Sequence, residues 1–188
     1  MISTLVTDRL VLRPPSPGDL DGLVGLFGDL EVMRFVGNGK VFSSVQVAHM
    51  LETMLAEARH GSAHPSWVPG VPGALMVVDP GSQEFVGMAV LRMLAPDLAL
   101  AIGGCPEPAV EAGYVLGRAF WGRGFATEIA SAVVRHGVSL VGREHIIAVA
   151  DVGNTVSHRV LGKVGFSVVK EFDYRDMRMN YWRLTPLG

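Results

Sequence analysis

Apolar positions recur along the chain at two different periods, and the points where the period changes mark its elements. Residues 9–13, Arg-Leu-Val-Leu-Arg, form a short apolar run that predicts a strand, stopped by Pro14-Pro15. Ser16-Pro17-Gly18-Asp19 has the composition of a helix start, and Leu20, Leu23, Val24 and Phe27 follow at helical spacing. A second helix is predicted from Ser43 or Ser44 to about Arg59, because Val47, Met50, Leu51, Met54, Leu55 and Ala58 share one face. The stretch 60–73 is rich in Gly and Pro and reads as a loop.

Residues 74–78 and 85–91 are apolar runs separated by Asp79-Pro80-Gly81-Ser82, the pattern of an antiparallel hairpin. After a loop at 95–110, residues 112–116 predict a further strand. Ala126, Ile129, Ala130, Val133, Val134, Gly137, Val138 and Val141 then form a stripe of alternating steps of three and one, the face of a long helix packed across a sheet. A strand at 145–150, a helix at 154–164 ended by Gly165, and strands at 167–172 and 177–184 complete the chain. Hairpins come first and a β-α-β-α-β order later, which predicts an α/β fold with a part-antiparallel sheet. At 188 residues, with no repeat or linker, the chain reads as one domain covering 1–188.

Composition narrows the partners. Charged residues make up 18% and the net charge is −2, so there is no basic footprint for direct nucleic-acid binding. The low charge content and a mean hydropathy of +0.34 point to some covered apolar surface and a possible homodimer. The start lacks the pattern of a secretory signal, and no apolar run reaches membrane-spanning length, so a cytoplasmic protein with no membrane partner is expected. The single cysteine, Cys105, excludes an internal disulfide and a cysteine-cluster metal site, so no metal is expected. Cys105 lies in a turn-rich loop without a neighbouring His to activate it, which favours an inert thiol.

The most informative segment is 121–128, Trp-Gly-Arg-Gly-Phe-Ala-Thr-Glu, between the strand at 112–116 and the long helix. The first N–H groups of a helix have no internal partner and carry roughly half a positive charge, so this junction suits an anion. Gly122 and Gly124 let a phosphate approach those donors. Glycines at such turns also serve chain geometry alone. A dinucleotide fold requires a third glycine near the first strand, and a P-loop requires Gly-Lys-Ser/Thr; both are absent.

These residues resemble the pyrophosphate loop of the GNAT acyl-CoA N-acyltransferases, with Gly124 and Ala126 at the two small positions and Trp121 where the pattern has Gln or Arg. That departure is similar to the branch of RimJ and RimL, which acetylate ribosomal-protein N-termini. Thr7-Asp8-Arg9-Leu10-Val11-Leu12-Arg13, Glu111-Ala112-Gly113-Tyr114-Val115-Leu116, Asn154-Thr155-Val156-Ser157 and Leu161-Gly162-Lys163-Val164-Gly165-Phe166 agree with the same branch, in the right order. The resemblance implies a GNAT fold, a mixed sheet of about six to seven strands with about four helices. It also implies transfer of acetyl from acetyl-CoA, by direct attack, to a primary amine, either a protein N-terminus or a small amine.

Under that resemblance the coenzyme pyrophosphate lies on the N–H groups of Gly122, Arg123, Gly124, Phe125 and Ala126, with Trp121 and Thr127 flanking and Arg123 adding charge. The pantetheine arm pairs with Tyr114, Val115 and Leu116 if a splay or bulge frees that edge. Asn154 bridges the arm or serves as an N-cap. The N–H of Val115 or Leu116 polarises the thioester carbonyl, and Glu111 takes or relays the amine proton. Many family members protonate the thiolate with a Tyr where this chain has Leu161, which leaves Ser157, or else Tyr114, for that role. The substitution also motivates an alternative, a non-catalytic acyl-CoA-binding module. Phe35 to Phe42, His60, His64, Trp67 and the 103–108 loop fall in regions that line the acceptor side in the family.

Overall fold

The computed structural model describes residues 4–61, 63 and 68–184. Its elements are β1 (Leu5–Val6), β2 (Val11–Arg13), α1 (Leu20–Phe27), α2 (Leu30–Met33), α3 (Ser44–His60), β3 (Gly73–Val78), β4 (Phe85–Met93), α4 (Pro96–Ile102), β5 (Val110–Leu116), α5 (Phe125–Val141), β6 (Ile146–Asp151), α6 (Thr155–Lys163), β7 (Phe166–Tyr174) and β8 (Met177–Leu184). The eight strands form one sheet in the order β1-β2-β3-β4-β5-β6-β8-β7. Every neighbouring pair is antiparallel except β5 and β6.

The expected class is present, with more elements than the sequence pattern predicts. Among the described residues there are eight strands rather than six to seven, and six helices rather than four. The added strand, β1, is only two residues long and pairs with β2 across the turn at Thr7. Of the added helices, α2 is a single turn whose N-cap Asp29 accepts from the Glu31 N–H. The other, α4, occupies part of the predicted 95–110 loop: Pro96 opens it, only Leu98 and Ile102 are buried, and Gly103 closes it at φ +62. Seven residues with two core positions are too few to show a helical period against the Gly and Pro around them. No described helix is long and apolar enough to cross a membrane.

Side-chain alternation sorts the sheet into two covered faces. Leu75, Val77, Ala89, Leu91 and Ala112 pack beneath Ile129 and Val133 of α5. The intervening positions Ala74, Met76 and Met88 pack against Leu23, Leu26 and Phe27 of α1 and Val47 and Leu51 of α3. Further along, α4 lays Leu98 and Ile102 over Ile147, Phe172 and Tyr181.

The sheet opens at its centre. Strand β5 meets β6 only at Val110 with Ile146 and Glu111 with Ile147. Beyond that, residues 112–116 pair with β4 alone and residues 148–151 with β8 alone. The β4 side of β5 is close-fitting: a Cβ at Gly87 would run into the Val115 carbonyl and crowd Leu116 Cα at 3.0 Å. Gly87→Ala should therefore cost about 1–3 kcal/mol of stability, as inserted bulk in a packed site does, measured by denaturant unfolding.

A clasp fixes the start of α5. Glu128, in its first turn, accepts from Thr7 Oγ1 at 2.6 Å, Arg9 N–H at 2.9 Å and Arg9 Nε at 2.8 Å. Arg9 Nη1 reaches the Arg123 carbonyl at 3.0 Å, and its guanidinium lies 4.6 Å from the Phe125 ring centre. Burial pushes the Glu128 carboxyl upward, but the hydrogen bonds from Thr7 and Arg9 and the Arg9 charge outweigh it, and the net effect is a lowered pKa. A carboxyl lowered on folding contributes stability that is fully present above its unfolded value and is lost as pH falls through the folded one. Glu128→Gln should thus lower Tm at pH 7 by the equivalent of about 1–2 kcal/mol, with the difference from the parent shrinking below about pH 4. Thermal melts across that range check it.

Candidate functional site

The junction before α5 has the geometry of an open cradle. Gly122 and Gly124 sit at φ +73 and +80, the left-handed region that glycine enters without strain, and Gly124 occupies the N-cap position without a side-chain cap. A Cβ at Gly122 would meet nothing within 4 Å, and one at Gly124 would meet Arg9 Nη2 at 3.5 Å. Backbone conformation and access, rather than internal crowding, therefore favour glycine here. Phe125 is buried and stacks on Phe120, so it offers the cradle only its N–H. Arg123 is exposed, with its guanidinium 4.6 Å from the Phe125 ring centre, at the rim. Trp121 has its polar group engaged by the strand. Its indole N–H donates to the Leu116 carbonyl at 2.9 Å and ties the loop to the end of β5.

That bond shows which backbone groups of β5 are free. The Gly117 N–H donates to the Val86 carbonyl at 3.0 Å, so residue 117 faces β4. Strand groups alternate sides, which turns Val115 toward β4 as well and turns Tyr114 and Leu116 toward the opening. Of the two N–H groups expected to polarise a carbonyl, Val115's is directed into the β4 ladder and Leu116's into the splay. The Leu116 carbonyl is occupied by Trp121, and the N–H groups of Tyr114 and Leu116 face no strand.

A cavity of about 770 Å³ runs through this opening and is lined by β5, β6, α1, α3 and α6. Glu111, Tyr114, Val115, Asn154, Ser157 and Leu161 all lie on its wall, whereas the 121–127 loop lies outside the lining and is joined to it through Leu116. Asn154 is the N-cap of α6, its Oδ1 accepting from the Ser157 N–H at 3.1 Å. The Ser157 hydroxyl is engaged across the splay, where Tyr114 OH donates to Ser157 Oγ at 3.3 Å. Burial pushes the Tyr114 phenol up, offset only in part by that bond. Leu161 is buried at the base of the helix.

Glu111 is 7% exposed and paired with Arg92, whose Nε lies 2.9 Å from its Oε2. The charge of Glu111 is the largest factor raising the Arg92 pKa, and Glu57 of α3 adds to it. Neither Arg92 nor Glu57 stands out in the sequence. Arg92 falls just past the predicted end of its strand at residue 91, whereas β4 runs to Met93 and sets Arg92 directly opposite Glu111. A lone cation closing an apolar strand was the available signal. Arg9 and Glu128 were visible only as parts of motifs with no assigned role. Phe35, Val36 and Phe42 do line the cavity; His60 ends α3, and His64 and Trp67 lie outside the described residues. Cys105 is partly buried, away from the cavity, and burial pushes its thiol pKa up.

Comparison with known proteins agrees with this architecture. The model of the GNAT acetyltransferase domain matches residues 9–167. The N-acetyltransferase YoaA of Bacillus subtilis, itself uncharacterized, is 29% identical over 179 residues, covering 94% of this chain and 91% of its own. Among solved structures, a GNAT-family acetyltransferase from Bacillus anthracis superposes with a TM-score of 0.72 at 20% identity over 96% of each chain. The ribosomal L7/L12 N-terminal acetyltransferase RimL, solved with coenzyme A, superposes with a TM-score of 0.65 at 18% identity over 97% of this chain and 98% of that one. With its domain model matched from the Arg9 clasp to the start of β7, the chain belongs to the GNAT acetyltransferase family.

Proposed function

We propose that this protein transfers acetyl from acetyl-CoA to a primary amine, a protein N-terminus or a small amine. The observation that carries the reading is the unpaired edge of β5 opening onto a cavity beside a glycine cradle at the head of a 17-residue helix. Coenzyme A offers the two matching chemistries, a pyrophosphate for the N–H groups of residues 122–126 and a chain of amides for the β5 edge. RimL, which shares the fold, is recorded with coenzyme A, and the microcin self-immunity acetyltransferase MccE with acetyl-CoA. In this placement Leu116 N–H faces the thioester oxygen, and Asn154 Nδ2 remains available to the pantetheine arm.

In the step proposed, the neutral amine nitrogen attacks the thioester carbonyl carbon. A C–N bond forms, the C–S bond breaks, and the electron pair leaves on sulfur. The nitrogen gives up one proton toward Glu111 or water, and the sulfur gains one from Ser157 as Ser157 takes the Tyr114 proton, which solvent then replaces. Tyr114 holds the Ser157 oxygen in place by donating to it, which leaves the serine hydrogen free to face the splay. An α-amine of pKa near 8 is about one-tenth neutral at pH 7, so an ion-paired carboxylate is base enough for it; a lysine near 10.4 would need far more. Leu161 in place of a tyrosine favours a second reading, a non-catalytic acyl-CoA-binding module. The Tyr114 and Ser157 hydroxyls at the same opening favour the enzyme.

Calorimetric titration tests the donor. Acetyl-CoA should bind at submillimolar concentration, and Gly124→Val should weaken it at least tenfold, because a β-branched residue resists φ near +80 and blocks the cradle. Absence of binding removes the proposal. For catalysis, Ser157→Ala and Glu111→Gln should each lower kcat by about 10²-fold with acetyl-CoA affinity retained, the scale of a positioned acid or base. Unchanged kcat in both variants would take these residues out of the chemistry.

A further inference from the structure

The acceptor end of the cavity carries a selectivity of its own. Glu57, Arg92 and Glu111 are the charged residues on its lining among the described residues. Glu111 spends Oε2 on Arg92 Nε, and among the described residues its Oε1, the Arg92 Nη groups and the Glu57 carboxylate have no hydrogen-bond partner. The Arg92 side chain is 54% exposed although it rises from a central strand, so its outer N–H groups look onto open space. Around these three groups the wall is apolar: Phe27, Phe35, Phe42, Met50 and Met54 lie on it, with Phe27 and Phe42 stacked at 5.7 Å.

A ligand filling this space has to satisfy two opposite demands. The carboxylate oxygens that no described residue meets call for an ammonium or amine, while the guanidinium donors that none meets call for an oxygen acceptor, because donors desolvated without a partner carry a penalty. The lining has two carboxylates and one of them is already neutralised, which is too few for a polycation. The apolar wall takes an apolar body in van der Waals contact. Resting on the acetyltransferase reading above, we propose that the acceptor is an α-amino acyl group with an apolar side chain: its amine goes to Glu111 and Glu57, its carbonyl or carboxylate to Arg92, and its side chain to the Phe35–Met54 wall. A free amino acid and a peptide N-terminus both present that chemistry.

The test is a steady-state assay of CoA release with L-phenylalaninamide, L-phenylalanine, L-phenylalanyl-glycine, L-serinamide, phenethylamine and spermidine as acceptors. Phenethylamine keeps the ring and a primary amine but lacks the carboxamide, and because its amine is more basic every kcat/KM is compared per neutral amine at the assay pH. The kcat/KM for L-phenylalaninamide should exceed those for phenethylamine, L-serinamide and spermidine by about tenfold or more, the range for a lost hydrogen bond to a charged group. In Arg92→Met the ratio of L-phenylalaninamide to phenethylamine should fall to about one, and Arg92→Lys should restore part of it. A preference for L-phenylalanyl-glycine over L-phenylalanine assigns a peptide N-terminus, and the reverse a free amino acid; either supports the proposal. Equal use of phenethylamine, better use of spermidine, or a ratio that survives Arg92→Met would overturn it while leaving acetyl transfer demonstrated. Silence toward every amine, with acetyl-CoA still bound in calorimetry, would overturn both this inference and the catalytic reading.

Discussion

The structure depends on a parallel pair of strands that stops pairing after two residues. Between Glu111 and Leu116 the central strand has a partner on one side only, and an unpaired strand edge inside a sheet is costly unless something else meets its polar groups. The Trp121 indole N–H meets one of them, the Leu116 carbonyl. The N–H groups of Tyr114 and Leu116 face no strand, and Tyr114 lines a cavity large enough for an extended ligand. Gly87 allows β4 to hold the other side of the strand closely, so that the opening falls between β5 and β6 rather than between β4 and β5.

Alternation along β5 then divides the chemistry between the two faces of the sheet. Tyr114 projects to the face carrying α5 and α6, where it reaches Ser157; Glu111 projects to the opposite face with Arg92, toward α3. Since the sheet is split between them, groups from both faces line one cavity. A donor laid along the splay is therefore reached by a hydroxyl pair from one side and by carboxylates from the other. The Thr7–Arg9–Glu128 clasp holds the anion cradle at the end of the same strand, tying residues near the start of the described chain to the head of α5.

How much of this the sequence revealed follows from the range of each interaction. The long α5 stripe and the glycine turn were readable because their periods and dihedral demands are local. Glu111, Asn154 and Ser157 could be named as candidates, and the structure sets them on one cavity wall. Helix α4 and strand β1 were not readable, being too short to show a period. The Arg92–Glu111 pair depends on register between two strands, and the Tyr114–Ser157 contact on how α6 sits across the splay. Neither relation is written in spacing along the chain. The choice between Val115 and Leu116 as the free N–H was open for the same reason, until the Gly117 to Val86 bond set the parity of the strand.

The central claim is that the Tyr114 and Leu116 amides await a ligand while Val115 is already paired. Residue-resolved hydrogen exchange with and without saturating acetyl-CoA tests it directly. The account predicts fast exchange at Tyr114 and Leu116 in the free protein, strong protection of both on addition of acetyl-CoA, and protection of Val115 in either state. Exchange at Tyr114 and Leu116 that is unchanged by acetyl-CoA would contradict it.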